Sequence, residues 1–431
     1  MSLFLITFFF FFNFGNSEIC SVYTAMEKFR RLTCVQENPI GKGGFGEVFL
    51  IREPVLDSLH ALKIQIFDNS NDKSKKYAEL EALIGKSIKH NHVMRYLNTY
   101  NIPQNDGTTL IATTTEYLRN GNLRDFILEN QRLSDDVILL YFFQLLQALQ
   151  YLKENDLVHL DIKLDNIMLK ENNYVNPRDC VLKTGLTPAL IDFGFINFIG
   201  SPLCGFLGTI DYAAVEIILE EVCLPASNKM DIYSLGVVLF NLSHENLLPF
   251  DERSKTKLIR KVVIHKYSLR MSSMFGIAFL INNMLLADPE ERMDQEKLMW
   301  YTLALIRLPK NLEEIRYDDF TSKFRRKASI EGKEKITEEQ FKQMYGFNYS
   351  SDENKVNKIL GKKSQCHNIS WWQMRGERVP KPPNYVYGVD IDTIINSNRQ
   401  GRILKQKNKA TMKAESGEPN KIKMGDKLKQ N

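Results

Sequence analysis

Cysteine is sparse and unorganised in this chain: six residues are scattered over 431, with no C-x-x-C pair. That spacing suggests neither a disulfide framework nor a zinc site, and it fits a reducing compartment. A membrane-spanning segment is not offered by the N-terminus. The apolar run at residues 3–14, which contains the five phenylalanines Phe8 to Phe12, is roughly a dozen residues long, too short for a spanning helix. No lysine or arginine precedes it, as a secretory signal would want, although Gly15, Asn16 and Ser17 supply small residues near a cleavage position. Three readings of residues 1–33 stay open: a signal or anchor, an ordered segment, and a start set too early, with Met26 as the true start.

Charge is the other uneven quantity. The net charge is +5, yet the residues after Leu305 carry about +11 and those before them about −6, so the basic character belongs to the tail. Hydrophobic residues at 43% and charged residues at 25% are ordinary for a soluble globular protein, and 431 residues suffice for one large or two medium domains.

What is present is organised around residues 158–169, V-H-L-D-I-K-L-D-N-I-M-L. This places Asp161, Lys163 and Asn166 in one short loop. An acid, a base and an amide so spaced suit phosphoryl transfer: the acid takes a hydroxyl proton, the lysine neutralises a phosphate, and the amide oxygen ligates magnesium. The loop resembles the H-R-D-x-x-x-x-N catalytic loop of protein kinases, with Leu160 where the arginine usually stands.

The partners of such a loop follow in order. Ile40, Gly41, Lys42, Gly43, Gly44, Phe45, Gly46, Glu47 and Val48 read as strand, glycine turn, strand. Glycine lets a backbone approach phosphates closely. A dinucleotide fingerprint would need a helix directly after the glycines, whereas residues 48–51 are strand formers. The absence of a G-K-[ST] ending argues against a P-loop nucleotidase. In the kinase resemblance Val48 covers the adenine, Ala61 lines its pocket, and Lys63 in H-A-L-K-I reaches the α- and β-phosphates. Residues 75–89 read as a helix with Leu80, Leu83, Ile84 and Ile88 in a stripe. The resemblance needs one glutamate here to pair with Lys63. The distance to the H-N-H-V turn selects Glu81, with Glu79 as the alternative. Gly85, one turn later, stands where the family usually places a bulky apolar residue, which implies a mobile helix or one settled by a regulatory partner. Residues 109–117 read as a strand leading to a hinge at 116–119. There the backbones of Glu116 and Leu118 would meet the adenine edge, and Thr115 would guard the back of the pocket.

Beyond the hinge, residues 137–155 read as an amphipathic helix with Leu140, Phe143, Leu146, Leu149 and Leu152 on one side. An insertion between Leu169 and Ala189, rich in Asn, Pro and Gly, reads as a loop or hairpin. Asp192 in A-L-I-D-F-G is the implied principal magnesium ligand, and Asn166 holds a second. G-T-x-x-Y-x-A-V-E at residues 208–216 matches the end of a kinase activation segment, with Val215 in place of proline. Lys163 and Thr209 are marks of the serine/threonine type, whereas H-L-D-I-K also resembles the Wee-type kinases, which leaves tyrosine specificity as an alternative. Between Gly194 and Gly208 the only hydroxyl residue is Ser201. With Leu160 replacing the arginine that grips a phosphorylated segment, a segment held by hydrophobic packing is expected. Asp231 matches the aspartate that braces the catalytic loop, and Arg292 the arginine that pairs with Glu216.

The resemblance covers residues 34–305. It implies an α+β, two-lobed protein kinase fold, with a small β-rich lobe at 34–115 and a larger helical lobe at 120–305. It also implies ATP and Mg2+ as cofactors and protein substrates as partners. A pseudokinase scaffold is the reading from another class, opposed by the presence of Lys63, Asp161, Asn166 and Asp192. The tail, 306–431, resembles no family. It holds a basic cluster before Ser329, a capping-box signature at residues 337–340, the pair Trp371 and Trp372, and a lysine-rich end read as disordered. Nucleic acid is not the expected partner. Membrane contact is expected only through the N-terminal run or the tail, and localisation is expected to be cytoplasmic or nuclear unless residues 1–17 act as a signal.

Overall fold

The computed structural model describes residues 32–349, apart from residues 37, 44–45, 69–71, 105–107, 131–132, 172–184, 220–222, 266, 309 and 325–334, together with 385–386 and 389–390. The N-terminal run, Met26, Ser329, Trp371, Trp372 and the lysine-rich end lie outside the described residues. The chain divides into two compact units, Met1–Pro380 and Lys381–Asn431. Of the second, the described part is a two-stranded antiparallel pairing of Tyr385–Val386 with Val389–Asp390.

An antiparallel sheet comes first. Its strands are β1 (Thr33–Cys34), β2 (Gly41–Gly43), β3 (Gly46–Glu53), β4 (Ser58–Asp68), β5 (Tyr96–Pro103) and β6 (Thr108–Glu116), in the order β1-β3-β4-β6-β5 with β2 paired to β3. Alternate residues of β3 and β4 point to one face, where Phe49, Ile51, Leu62, Ile64, Leu110 and Ala112 close a core. On the other face lies helix α1 (Asp72–Ser87). Its buried residues include Ala78, Glu81, Ala82 and Ile84, whereas Leu80 and Leu83 are half-buried. The helix is thus rotated from the apolar stripe read in the sequence, and the rotation carries Glu81 inward.

The helical part is built on α2 (Leu123–Asn130) and α3 (Asp135–Glu154). Ser134 caps α3 by accepting the Val137 N–H, satisfying one of the four unpaired donors of its first turn. The sequence reading gave α3 one apolar face. In the structure Ile138, Leu139, Phe142, Phe143, Leu145, Leu146 and Leu149 are all buried, so the helix is enclosed nearly all round, while Leu140 is half-buried. A helix packed on several sides needs no polar face. After it come β7 (Leu157–Val158), the hairpin β8 (Ile167–Glu171) and β9 (Leu186–Leu190), β10 (Asn197–Phe198), β11 (Pro202–Leu203), α4 (Val215–Leu219), β12 (Leu224–Pro225), α5 (Asn228–Ser243), α6 (Lys255–Val263), α7 (Phe275–Met284) and α8 (Gln295–Ile306).

One expectation needs correction here. The spacing of the cysteines suggested no disulfide framework, but Cys204 and Cys223 form a disulfide. The cause is topological: β11 and β12 pair antiparallel, Leu203 opposite Leu224, which sets the residue after Leu203 beside the residue before Leu224. A separation of 19 residues carries no spacing signature. The kinase resemblance was read as far as Leu305. Packing continues through α9 (Lys310–Glu313), α10 (Tyr317–Phe324) and α11 (Glu338–Tyr345). Phe320 stacks on Phe275 at 4.8 Å, Phe341 meets Phe279 at 4.6 Å, and the Gly276 N–H donates to the Tyr345 hydroxyl at 2.9 Å. Thr337 and Gln340 form both bonds of the capping box that opens α11.

Candidate active site

Hairpin β8–β9 sets the geometry of the site. Ile167 lies opposite Leu190, and the Ile191 N–H donates to the Asn166 carbonyl at 3.0 Å. Asn166 thus stands opposite Ile191, the residue just before Asp192, although 25 positions separate them in the chain. Asp192 sits at φ +57°, a left-handed conformation that is sterically costly for a non-glycine residue and recurs at functional sites.

Asp161 is the centre of the loop. Its carboxylate accepts from Lys163 Nζ at 2.9 Å, from the Thr209 hydroxyl at 2.8 Å and from Asn166 Nδ2 at 2.8 Å. Lys163 also donates to Thr209 at 2.8 Å, which closes a triangle. Asn166 spends its amide N–H groups on Asp161, through the carboxylate and the backbone carbonyl, so its amide oxygen remains as an acceptor group for a cation. From below, Asp231 accepts the N–H groups of His159 at 2.7 Å and Leu160 at 2.8 Å. Burial raises the Asp231 carboxyl above the usual range, against the opposing pull of His159 and those two N–H groups. Leu160 is buried and adopts φ +67°, and its carbonyl would lie 2.4 Å from a Cβ placed on Gly208. Glycine at 208, itself at φ +89°, is thus what lets the activation segment pass against the loop.

The second cluster is Lys63, Glu81 and Asp192. Lys63 Nζ lies 3.0 Å from both Glu81 oxygens and 3.1 Å from Asp192 Oδ1. Of the two glutamates weighed from the sequence, Glu81 makes this pair, and Glu79 instead accepts from Asn101 at 3.3 Å. Burial works to lower the Lys63 ammonium, but the two carboxylates prevail and raise it. Burial likewise works to raise Asp192, and Lys63 outweighs it to hold the group ionised below the usual carboxylate range.

The glycine strands lie across this cluster. The Ile40 N–H donates to the Val48 carbonyl at 2.7 Å, and Gly41, Lys42 and Gly43 pair with Val48, Glu47 and Gly46. Gly44 and Phe45, at the tip, lie outside the described residues. Gly46 has φ +116°, and a Cβ there would meet the Ile64 carbonyl at 2.2 Å. Lys42 and Glu47 form an ion pair at 2.8 Å on the hairpin surface. Val48 is opposite Lys63, and Ala61 is opposite Thr115, so the two pairs lie two positions apart along β4, on one face of the sheet. At the hinge the Glu116 carboxylate accepts from Lys170 and from the Arg95 N–H, both at 2.8 Å, and Leu118 is buried.

Two features had no signal in the sequence. Arg124 donates to both oxygens of Asp165 at 2.8 Å and to the Tyr212 hydroxyl at 3.2 Å, joining α2, the catalytic loop and the activation segment. Tyr96 donates to Glu81 from the first position of β5. Each reads in the sequence as an ordinary surface or core residue.

A model of the protein kinase domain matches residues 34–302. The chain belongs to the protein kinase family. Among curated proteins it is 30% identical over 265 residues to the maternal embryonic leucine zipper kinase of Danio rerio, covering 60% of this chain and 36% of that protein. It is 29% identical over 266 residues to the ovarian-specific serine/threonine-protein kinase Lok of Drosophila melanogaster, covering 59% and 52%. It is 28% identical over 284 residues to the carbon catabolite-derepressing protein kinase of Secale cereale, covering 63% and 51%. The match thus spans between about a third and about half of the length of these relatives.

Proposed function

We propose that the chain is an ATP- and magnesium-dependent serine/threonine kinase that transfers the γ-phosphate to hydroxyls of protein substrates. The observation that carries this is the Asp161 carboxylate, held by Lys163, Thr209 and Asn166 within 2.9 Å. The residues fit the cofactors. Asp192 and Asn166 offer a carboxylate and an amide oxygen, the hard oxygen donors that magnesium takes. Lys63, fixed by Glu81, offers a cation for the α- and β-phosphates, and the glycine strands offer close backbone approach. Bound Mg-ATP would supply the phosphoryl group and the charge neutralisation that its transfer needs.

The chain's own residues do the rest. Asp161 orients a substrate hydroxyl and takes its proton, while the bonds from Lys163, Thr209 and Asn166 keep its carboxylate in one orientation. Lys163 presents positive charge beside Asp161, where charge accumulates during transfer. Glu81 holds Lys63 with both carboxylate oxygens at 3.0 Å, while the same ammonium reaches Asp192 at 3.1 Å. The Thr209 hydroxyl links catalytic loop to activation segment, so the two share one geometry. The Drosophila melanogaster relative is named a serine/threonine-protein kinase, which supports the same specificity.

The test is phosphoamino-acid analysis of a generic protein substrate after incubation of the full chain with magnesium and labelled ATP. Phosphoserine and phosphothreonine are expected. Label confined to phosphotyrosine would overturn the specificity.

A further inference from the structure

Gly85 leaves helix α1 without a side chain one turn after Glu81, on the face turned to the sheet. The space is taken from the other side. A Cβ on Gly85 would lie 2.5 to 2.7 Å from three ring carbons of Tyr96, so ring and glycine fit only each other. Tyr96 is buried, and its hydroxyl donates to Glu81 Oε1 at 2.9 Å, the oxygen that Lys63 also meets at 3.0 Å. The Tyr96 ring stands edge-on to Phe193 at 6.0 Å between centroids. Phe193 in turn packs on His159 at 4.9 Å, and the His159 N–H is held by Asp231.

We propose that Tyr96 is a positioning residue: its ring replaces the side chain that Gly85 lacks, and its hydroxyl orients the Glu81 carboxylate that holds Lys63. This rests on the kinase reading for its catalytic consequence, though not for its structural one. The helix therefore finds its settling partner within the same chain, in β5, and no second protein is needed to supply it. The physical case is one of satisfying a buried carboxylate. Glu81 is 4% exposed and cannot turn to water, so each of its bonds must come from protein. Lys63 is shared with Asp192, which leaves Tyr96 as the donor committed to Glu81. A phenol suits that task because it stays protonated at neutral pH and donates one bond. Had Tyr96 served merely as core filling, an aromatic without a hydroxyl would do equally well, and that difference is measurable.

The experiment uses the full chain with Tyr96→Phe, Glu81→Gln and the double variant, and reads two quantities. The first is hydrogen exchange of the α1 amides. Tyr96→Phe keeps the ring, so the fold and the exchange of α3 and α5 are expected to stay as in the wild type, while α1 exchanges at least tenfold faster. The second is steady-state phosphotransfer. A hydrogen bond to a charged group corresponds to roughly a tenfold or larger change. A fall of about that size is expected in kcat/KM for ATP, with KM for the protein substrate unchanged. In the Glu81→Gln background, Tyr96→Phe is expected to add less than twofold, because both changes act on one carboxylate. Unchanged exchange overturns the proposal, as does a full tenfold loss that persists in the Glu81→Gln background. Faster α1 exchange with unchanged kinetics also overturns it, by reducing Tyr96 to a structural role. A wild-type chain that transfers no phosphate would instead count against the kinase reading, and the exchange of α1 would still decide whether Tyr96 holds the helix.

Discussion

Arg292 is fully enclosed and meets Glu216 through two parallel bonds, Nη1 to Oε1 and Nη2 to Oε2, each 2.7 Å. The same guanidinium donates to the carbonyls of Leu286, Lys229 and Ala287, so one side chain ties the end of the activation segment to the starts of α5 and α8. Removing one partner of a buried pair strands the other's charge. Arg292→Met is therefore expected to cost about 3–5 kcal/mol of stability. Urea denaturation monitored by tryptophan fluorescence checks this. A loss below about 1 kcal/mol, the range of exposed pairs, would show that the bridge is solvated.

Three half-buried histidines predict how stability depends on pH. Burial pushes His90 down to about 3, and His92 and His265 down to about 4, with a neighbouring histidine and Lys170 adding to the effect at His90. In the unfolded chain each titrates near 6.5. The folded values are depressed, so the unfolded chain binds more protons below pH 6.5. The contribution is complete above that pH and is lost as pH falls towards 4. The expected slope is about 1.4 kcal/mol per pH unit for each histidine over that window. Denaturation midpoints measured from pH 7 to pH 4.5 check it, and His92→Gln should flatten the dependence by about one histidine's share. A flat profile would contradict the burial of these rings.

The activation segment carries its own prediction. Leu160 is buried where an arginine would grip a phosphate, and Ser201 is engaged through its backbone, accepting from the Ala226 N–H at 2.8 Å. Phe193, Ile196, Phe198, Leu203 and Leu207 are all buried, so the segment is held by packing. Ser201→Ala should retain kinase activity within about twofold, because a half-buried hydroxyl that takes no part in this packing contributes little. Stoichiometric Ser201 phosphate, together with loss of activity in Ser201→Ala, would show that the segment is gated by phosphorylation after all.

The Cys204–Cys223 disulfide fastens that segment to β12. Closing a loop of this length stabilises by about 3 kcal/mol. Cys223→Ser should lower stability by about that much relative to the oxidised wild type and narrow the difference between reducing and non-reducing conditions by the same amount. Peptide mapping without reduction should recover the two cysteines joined. Recovery of both as free thiols would remove this element from the account.

What was legible in the sequence was the chemistry that depends on fixed spacing. Asp161, Lys163 and Asn166 share one loop, and Lys63 and Asp192 each sit in a strand context that the chain itself spells out. What was not legible depends on tertiary register. Cys204 and Cys223 meet because two short strands pair across an intervening stretch that includes helix α4. Tyr96 looks like any β-strand aromatic until its hydroxyl is seen against Glu81. The tail's capping box was readable, since it is local. The docking of Phe320, Phe341 and Tyr345 was not, because it depends on which faces of α7 and α8 the chain returns to. The enclosure of α3 was hidden for the same reason: its apolar residues satisfied a one-face pattern while neighbours on other sides buried the rest.

The central claim is that Asp161, Asn166, Lys63 and Asp192 form a working phosphotransfer site. The most direct measurement is transfer of label from γ-labelled ATP by the full chain in magnesium, beside Asp192→Asn and Asp161→Asn, with thermal melts to show that each variant folds. The account predicts transfer by the wild type and a loss on the order of a hundredfold or more in each folded variant, the scale of removing a positioned acid–base group. Equal transfer by the wild type and the variants, or none by the folded wild type, would contradict it.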